Sequence, residues 1–158
     1  MVIKTATSAP DIASTAQLFR EYADSLALDL SFQNFEQELA NLPGDYAAPR
    51  GTLLLAYVGE VLAGCCALRP LDTVDTPNAA EMKRLYVRPA FRGMGIGRQL
   101  TEATLDAAHQ AGYSSVLLDT LDDMEAARSL YTDLGFSSTE PYYHNPIAGA
   151  HYLKADIY

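Results

Sequence analysis

Arg92-Gly93-Met94-Gly95-Ile96-Gly97-Arg98 is the stretch that decides how this chain is to be read. An apolar run, Ala80 to Val87, precedes it and is stopped by Pro89; a run with helical spacing, about Met94 to Ala111, follows it. The glycines therefore sit where a strand gives way to a helix. Glycine there lets the backbone approach a ligand and turn its N–H groups toward it, and the helix N-terminus adds about half a positive charge. The combination is a cradle for phosphate. Two commoner phosphate motifs fail on spacing. A dinucleotide fingerprint needs glycine three places after Gly95, where Arg98 stands, and no Gly-Lys-Ser/Thr follows as a P-loop requires.

Working outward, Val2 to Thr5 reads as a first strand and Ser8-Ala9-Pro10-Asp11 as a helix start, with Ile12, Ala16, Phe19, Ala23 and Leu26 on one apolar face. Ser31 is placed to cap a shorter helix carrying Phe32, Phe35 and Leu39, ended by Pro43-Gly44. Thr52 to Val58 and Val61 to Leu68, joined by Gly59-Glu60, read as a hairpin. Pro70 to Asn78 is a loop. Beyond the helix that Gly112 ends, Ser115 to Thr120 is a short buried strand, and Asp122 caps a helix to about Leu134, stopped by Gly135. Strands near Phe136 to Thr139 and Tyr152 to Ile157 close the chain. The order predicts one α/β domain over residues 1–158, a mixed sheet with helices on its faces.

Composition excludes several classes. With 158 residues, 49% hydrophobic and 20% charged, the chain is of ordinary globular make-up. No apolar run approaches the roughly 18 residues of a membrane span, and residues 1–10 lack a signal pattern, so a cytoplasmic protein is expected. Cys65 and Cys66 are adjacent and point to opposite faces of a strand, which suits two buried thiols rather than a disulfide. The three histidines form no metal-ligand spacing with them, and no metal is expected. A net charge of −9 argues against nucleic acid and for a cationic substrate. Yet Lys83, Arg84, Arg88, Arg92 and Arg98, five of eleven basic residues, fall between Glu81 and Glu102 with no acid among them. The glycine cluster is thus set in local positive charge.

Arg92-x-x-Gly95-x-Gly97, after Leu85-Tyr86-Val87 and Pro89, resembles the acetyl-CoA signature of the GNAT N-acetyltransferases. The helix Ala127-x-x-Leu130-Tyr131-x-x-x-Gly135-Phe136 resembles the family's second signature, with Tyr131 placed 34 residues after Gly97. The resemblance implies the GNAT fold: a mixed, mostly antiparallel sheet of six to seven strands flanked by about four helices. It also implies acetyl-CoA as co-substrate. The backbone of Leu85, Tyr86 and Val87 would run along the pantetheine arm. The amides of Arg92, Gly93, Met94, Gly95, Ile96 and Gly97 would hold the diphosphate, with charge from Arg92 and Arg98. Tyr131 would reprotonate the leaving thiolate, and Glu81, four residues before Leu85, would be the base for the amine. The plainer reading of Glu81 is a strand-end carboxylate paired with a basic neighbour. Seven residues before Tyr131 the family often carries asparagine; here Met124 leaves that part of the binding to backbone groups.

The acceptor is expected to be a small-molecule primary amine. Residues 28–50 would cover it, along with the aromatic loop Pro141-Tyr142-Tyr143-His144-Asn145-Pro146, from which Tyr142, Tyr143 and Asn145 are candidate contacts. Asp119 would either bind the cationic acceptor or cap the turn after its strand. Competing uses are acetylation of a protein N-terminus or lysine, and a non-catalytic acyl-CoA sensor. Dimerisation through the C-terminal strands is another use of the same surface.

Overall fold

Ser8 opens the first long helix by accepting the Asp11 N–H on its hydroxyl at 3.2 Å, while Asp11 Oδ2 accepts the N–H groups of Thr7 and Ser8. That reciprocal cap satisfies amides with no intrahelical acceptor. Lys4 Nζ adds an ion pair to Asp11 at 3.0 Å. The structure, a computed structural model, describes residues 1–26, 35–72, 76–121, 125–142 and 150–157. Their elements are β1 (Val2–Thr5), α1 (Ala9–Leu26), α2 (Phe35–Ala40), β2 (Thr52–Val58), β3 (Val61–Pro70), β4 (Ala79–Val87), α3 (Ile96–Gln110), β5 (Ser115–Leu121), α4 (Glu125–Asp133), β6 (Ser137–Ser138) and β7 (Ala150–Asp156). Among the described residues these make one seven-stranded sheet with four helices, as expected.

The strand order is β1-β2-β3-β4-β5-β7-β6, antiparallel throughout except for β4 beside β5. Alternation along the strands divides the core. One face carries Leu54, Cys66, Met82, Val116 and Leu118 and is closed by Leu100 of α3 and Tyr131 of α4. The other carries Leu53, Leu55, Cys65 and Tyr86 under Leu18 and Phe19 of α1 and Phe35 of α2. The adjacent cysteines thus enter opposite cores, both as free, buried thiols. Cys65 Sγ donates to the Arg84 carbonyl at 3.3 Å and Cys66 Sγ reaches the Lys83 carbonyl at 4.0 Å. Burial raises both thiols, Cys66 to about 12.

Three features add to the expectation. Strand β3 runs on to Pro70, two residues further. A 3-10 turn, Gly44–Tyr46, follows α2 and tucks Tyr46 into the core. The expected last two strands are present, and in the sheet β7 lies between β5 and β6. The caps read at Ser31 and Asp122 and the position of Met124 lie outside the described residues, as do Tyr143, His144 and Asn145.

Candidate active site

Strands β4 and β5 pair over only three residues, Ala79 with Ser115, Ala80 with Val116 and Glu81 with Leu117. Past Glu81 the two strands continue without partnering one another, so a cleft opens in the middle of the sheet. On the other side of β4, Cys65 faces Tyr86 while Ala67 faces Lys83, two steps against three. The extra residue is a β-bulge. At its centre Arg84 takes a left-handed backbone conformation, φ 62°, where a bulky residue is uncommon. Leu85 follows with no register partner on either neighbouring strand. A parted strand pair and a bulge together leave the backbone of one short segment available to a ligand.

Below that segment lies the glycine turn. Gly93 and Gly95 have φ of 82° and 78°, and a Cβ on either would meet open space. These glycines are therefore required by backbone conformation, not by packing. The first bond of α3 joins the Gln99 N–H to the Gly95 carbonyl at 3.1 Å, and no side chain caps this end. The N–H groups of Ile96, Gly97 and Arg98 thus have no intrahelical acceptor and, with the helix dipole, fit an anion. Arg92 departs from expectation in one respect: its own N–H closes a turn on the Pro89 carbonyl at 3.3 Å. Its guanidinium donates to the Val87 carbonyl at 3.0 Å and lies 6.0 Å from the Tyr86 ring.

The positive cluster read from the sequence is divided by the fold. Arg92 and Arg98 stand at the glycine turn, with Arg98 bonded to Asp133 of α4 at 2.9 Å. Arg84 and Arg88 point to the opposite face. Arg88 makes two bonds to Glu21 of α1, at 3.0 and 2.8 Å. Arg84, 4% exposed, makes a two-pronged pair with Glu38 of α2 at 3.1 Å and lies over the Tyr22 and Phe35 rings. Only part of the cluster is available to a phosphate.

Glu81 is 1% exposed at the point where β4 and β5 part. It accepts from Arg69 Nε on β3 at 2.7 Å and from the Tyr142 hydroxyl at 2.7 Å. The plain reading, a carboxylate with a basic partner, is therefore realised by Arg69, its cross-strand neighbour. Tyr142, which the sequence places in the acceptor loop, is brought directly to Glu81 and packs edge-on against Tyr152 with centroids 5.5 Å apart. Asp119 lies on β5 opposite Tyr152, two residues beyond the parting point. Since β5 continues to Leu121, Asp119 does not end the strand.

Tyr131 of α4 is 6% exposed, with Phe136 edge-on at 5.6 Å. Burial holds its phenol well above the ordinary tyrosine range, so it is protonated at neutral pH. Sequence reasoning missed Arg69, Glu38 and Tyr46. Arg69 was accessible in principle, since extending the β3–β4 pairing would set it opposite Glu81. Among the described residues there is no metal-ligating cluster and no helix long and apolar enough to cross a membrane.

Known proteins resemble this chain in sequence and in fold. The sequence model described as the Acetyltransferase (GNAT) family matches residues 13–136. An uncharacterized N-acetyltransferase of Schizosaccharomyces pombe, C1271.07c, is 41% identical over 93% of this chain and 89% of its own length. One from Dictyostelium discoideum, DDB_G0290199, is 30% identical over 92% and 94%. Among solved structures, YncA of Salmonella typhimurium with acetyl-CoA superposes with a TM-score of 0.74 at 18% identity, covering 99% of this chain and 94% of that one. PaiA N-acetyltransferase of Thermoplasma acidophilum, in complex with coenzyme A, gives 0.72 at 17%, covering 99% of each.

Proposed function

The chain belongs to the GNAT acetyltransferase family, acetyl-CoA-dependent acyltransferases, and from that premise we propose that it acetylates the primary amine of a small molecule by direct attack in a ternary complex. The observation that carries this reading is the coincidence of the parted β4–β5 pair, the bulge at Arg84 and Leu85, and the uncapped α3 N-terminus below them. When bound, acetyl-CoA supplies an activated acyl group on a thiol leaving group. The residues present fit it: the amides from Gly93 to Gly97 and the Arg92 and Arg98 side chains would hold its diphosphate. The backbone of Leu85, Tyr86 and Val87 would run beside its pantetheine arm, although the Val87 carbonyl already accepts from Arg92. A backbone N–H near Leu85 would stabilise negative charge growing on the acyl oxygen.

The acceptor amine has to lose a proton. At pKa about 10.4 only about one part in 2,500 is neutral at pH 7, a deficit of about 4.6 kcal/mol. Glu81 is the proposed base, acting directly or through a water, with Arg69 and Tyr142 fixing its orientation. Tyr131, held protonated by burial, is the proposed proton donor to the departing thiolate. Asp119, Tyr142, Tyr143 and Asn145 are proposed acceptor contacts.

Titration calorimetry with acetyl-CoA and with CoA tests the cofactor half, and absence of heat on folded protein would refute it. An amine panel read by CoA release tests the acceptor half. Tyr131→Phe should lower kcat at least tenfold while leaving acetyl-CoA affinity in place.

A further inference from the structure

Arg84 combines two features that cost free energy. Its backbone sits at φ 62° in the bulge of β4, a conformation glycine adopts freely and a long side chain does not. Its guanidinium is buried, with 2% of the side chain exposed, and a charge taken out of water must be offset by its partners. Glycine at this position would keep the bulge and avoid both costs. Strain gathered on one residue beside a site points to a role for that residue's side chain.

The side chain joins two helices to the strand. Its Nε and one outer nitrogen donate to the two carboxylate oxygens of Glu38 on α2, both at 3.1 Å, a pairing that fixes orientation as well as distance. The guanidinium also lies 5.3 Å from the Phe35 ring of α2 and 5.9 Å from the Tyr22 ring of α1. Helix α2 has only six residues, too few to hold its place by its own hydrogen bonds. Through Gln37 and Glu38 it nevertheless walls an open cavity of about 350 Å³, which Arg69, the partner of Glu81, also borders. One end of the connection is therefore a short helix near the proposed base. The other is the residue just before Leu85, whose backbone has no partner strand.

We infer that Arg84 is a positioning residue for acyl transfer: through Glu38 it locks α2 to the bulge, so that the wall of the acceptor space and the backbone at Leu85 keep one register. This rests on the acetyltransferase reading and adds to it a residue that touches neither substrate. Stability alone does not call for the pair, since apolar residues of similar volume often serve a buried site as well or better. What the pair supplies is direction. Two parallel hydrogen bonds allow α2 one placement, where apolar contact allows several.

The test separates register from stability. Arg84→Met combined with Glu38→Leu leaves no charge buried alone and should hold Tm within about 5 °C of wild type. Even so, kcat for CoA release with the best amine of the panel should fall at least tenfold, because small misplacements at a reacting centre are costly. Acetyl-CoA affinity in calorimetry should stay within about threefold, since neither residue is a proposed diphosphate or pantetheine contact. The deficit should be constant from pH 6 to pH 10, because neither side chain moves a proton. Arg84→Gly combined with Glu38→Gln keeps the bulge's backbone conformation while removing the tether, and should show the same loss. Wild-type kcat in either folded double variant would overturn the inference, as would a deficit that shrinks with rising pH. If neither double variant folds at 25 °C, the pair is a contact of the fold and the inference falls. Wild-type protein that acetylates no amine would remove the acetyltransferase reading as well; active wild type with unimpaired variants would remove only this one.

Discussion

Replacing Glu81 by glutamine separates its two readings, base and counter-ion. The substitution preserves shape and removes the charge. Arg69 can only donate, so the new amide oxygen must turn to its Nε, leaving the NH₂ group toward the Tyr142 oxygen. That hydroxyl can rotate and accept. Both contacts survive in neutral form, and the loss is the charge-assisted part, about 1–2 kcal/mol. For a chain of 158 residues this lowers Tm by roughly 2–8 °C, so the protein stays folded at 25 °C. The rate should fall much further, by about 10²–10³ in kcat/KM at pH 7, or about 2.7–4.1 kcal/mol in the barrier. Acetyl-CoA affinity should hold within about twofold, since no proposed diphosphate contact involves residue 81. The deficit should shrink as pH rises toward the amine's own pKa, where the acceptor is deprotonated without help. CoA release measured from pH 6 to 10 on wild type and variant decides it. A loss below threefold at pH 7 on folded protein would refute the base role and leave Glu81 as the counter-ion of Arg69.

Gly64→Ala places a methyl 2.6 Å from the Tyr86 carbonyl and 3.3 Å from Leu100, so β4 or α3 must move; a cost of about 1–3 kcal/mol should appear in denaturant titration. Gly97→Ala meets only ordinary contacts at 3.8 and 3.9 Å, and alanine favours a helix by roughly 0.5–1 kcal/mol. Tm should therefore hold or rise while acetyl-CoA affinity drops at least tenfold in calorimetry, and an unchanged affinity would place the diphosphate elsewhere. The Lys4 partner and three local hydrogen bonds hold the Asp11 carboxyl down to about 2. A lowered folded-state value means its stabilisation is present above the unfolded value near 3.9 and is lost as pH falls toward 2. Asp11→Asn should thus be less stable than wild type at pH 7, with the gap closing between about pH 4 and pH 2.

Much of the fold is legible because its signals are local. Ser8 and Asp11 announce α1, Gly59-Glu60 joins β2 to β3, and Gly93 and Gly95 mark a turn no other residue adopts cheaply. What stayed hidden depends on pairings distant in sequence. The insertion of β7 between β5 and β6 is a matter of packing, with no residue to signal it. The bulge falls on Arg84, where glycine would have advertised the positive φ. Tyr46 reads as any core tyrosine, and only the fold shows that it is carried into the core by the turn after α2. The charge cluster misled in part, since Arg84 and Arg88 meet Glu38 and Glu21 across 46 and 67 residues.

Cys65 and Cys66 lean their sulfurs on the carbonyls of the bulged strand from opposite sides of the sheet. A thiol so buried and so weakly acidic is inert until the chain around it opens. The pair therefore serves as an internal stopwatch: labelling kinetics with a thiol reagent count how often β3 and β4 part company. A ligand seated along that strand should slow the clock.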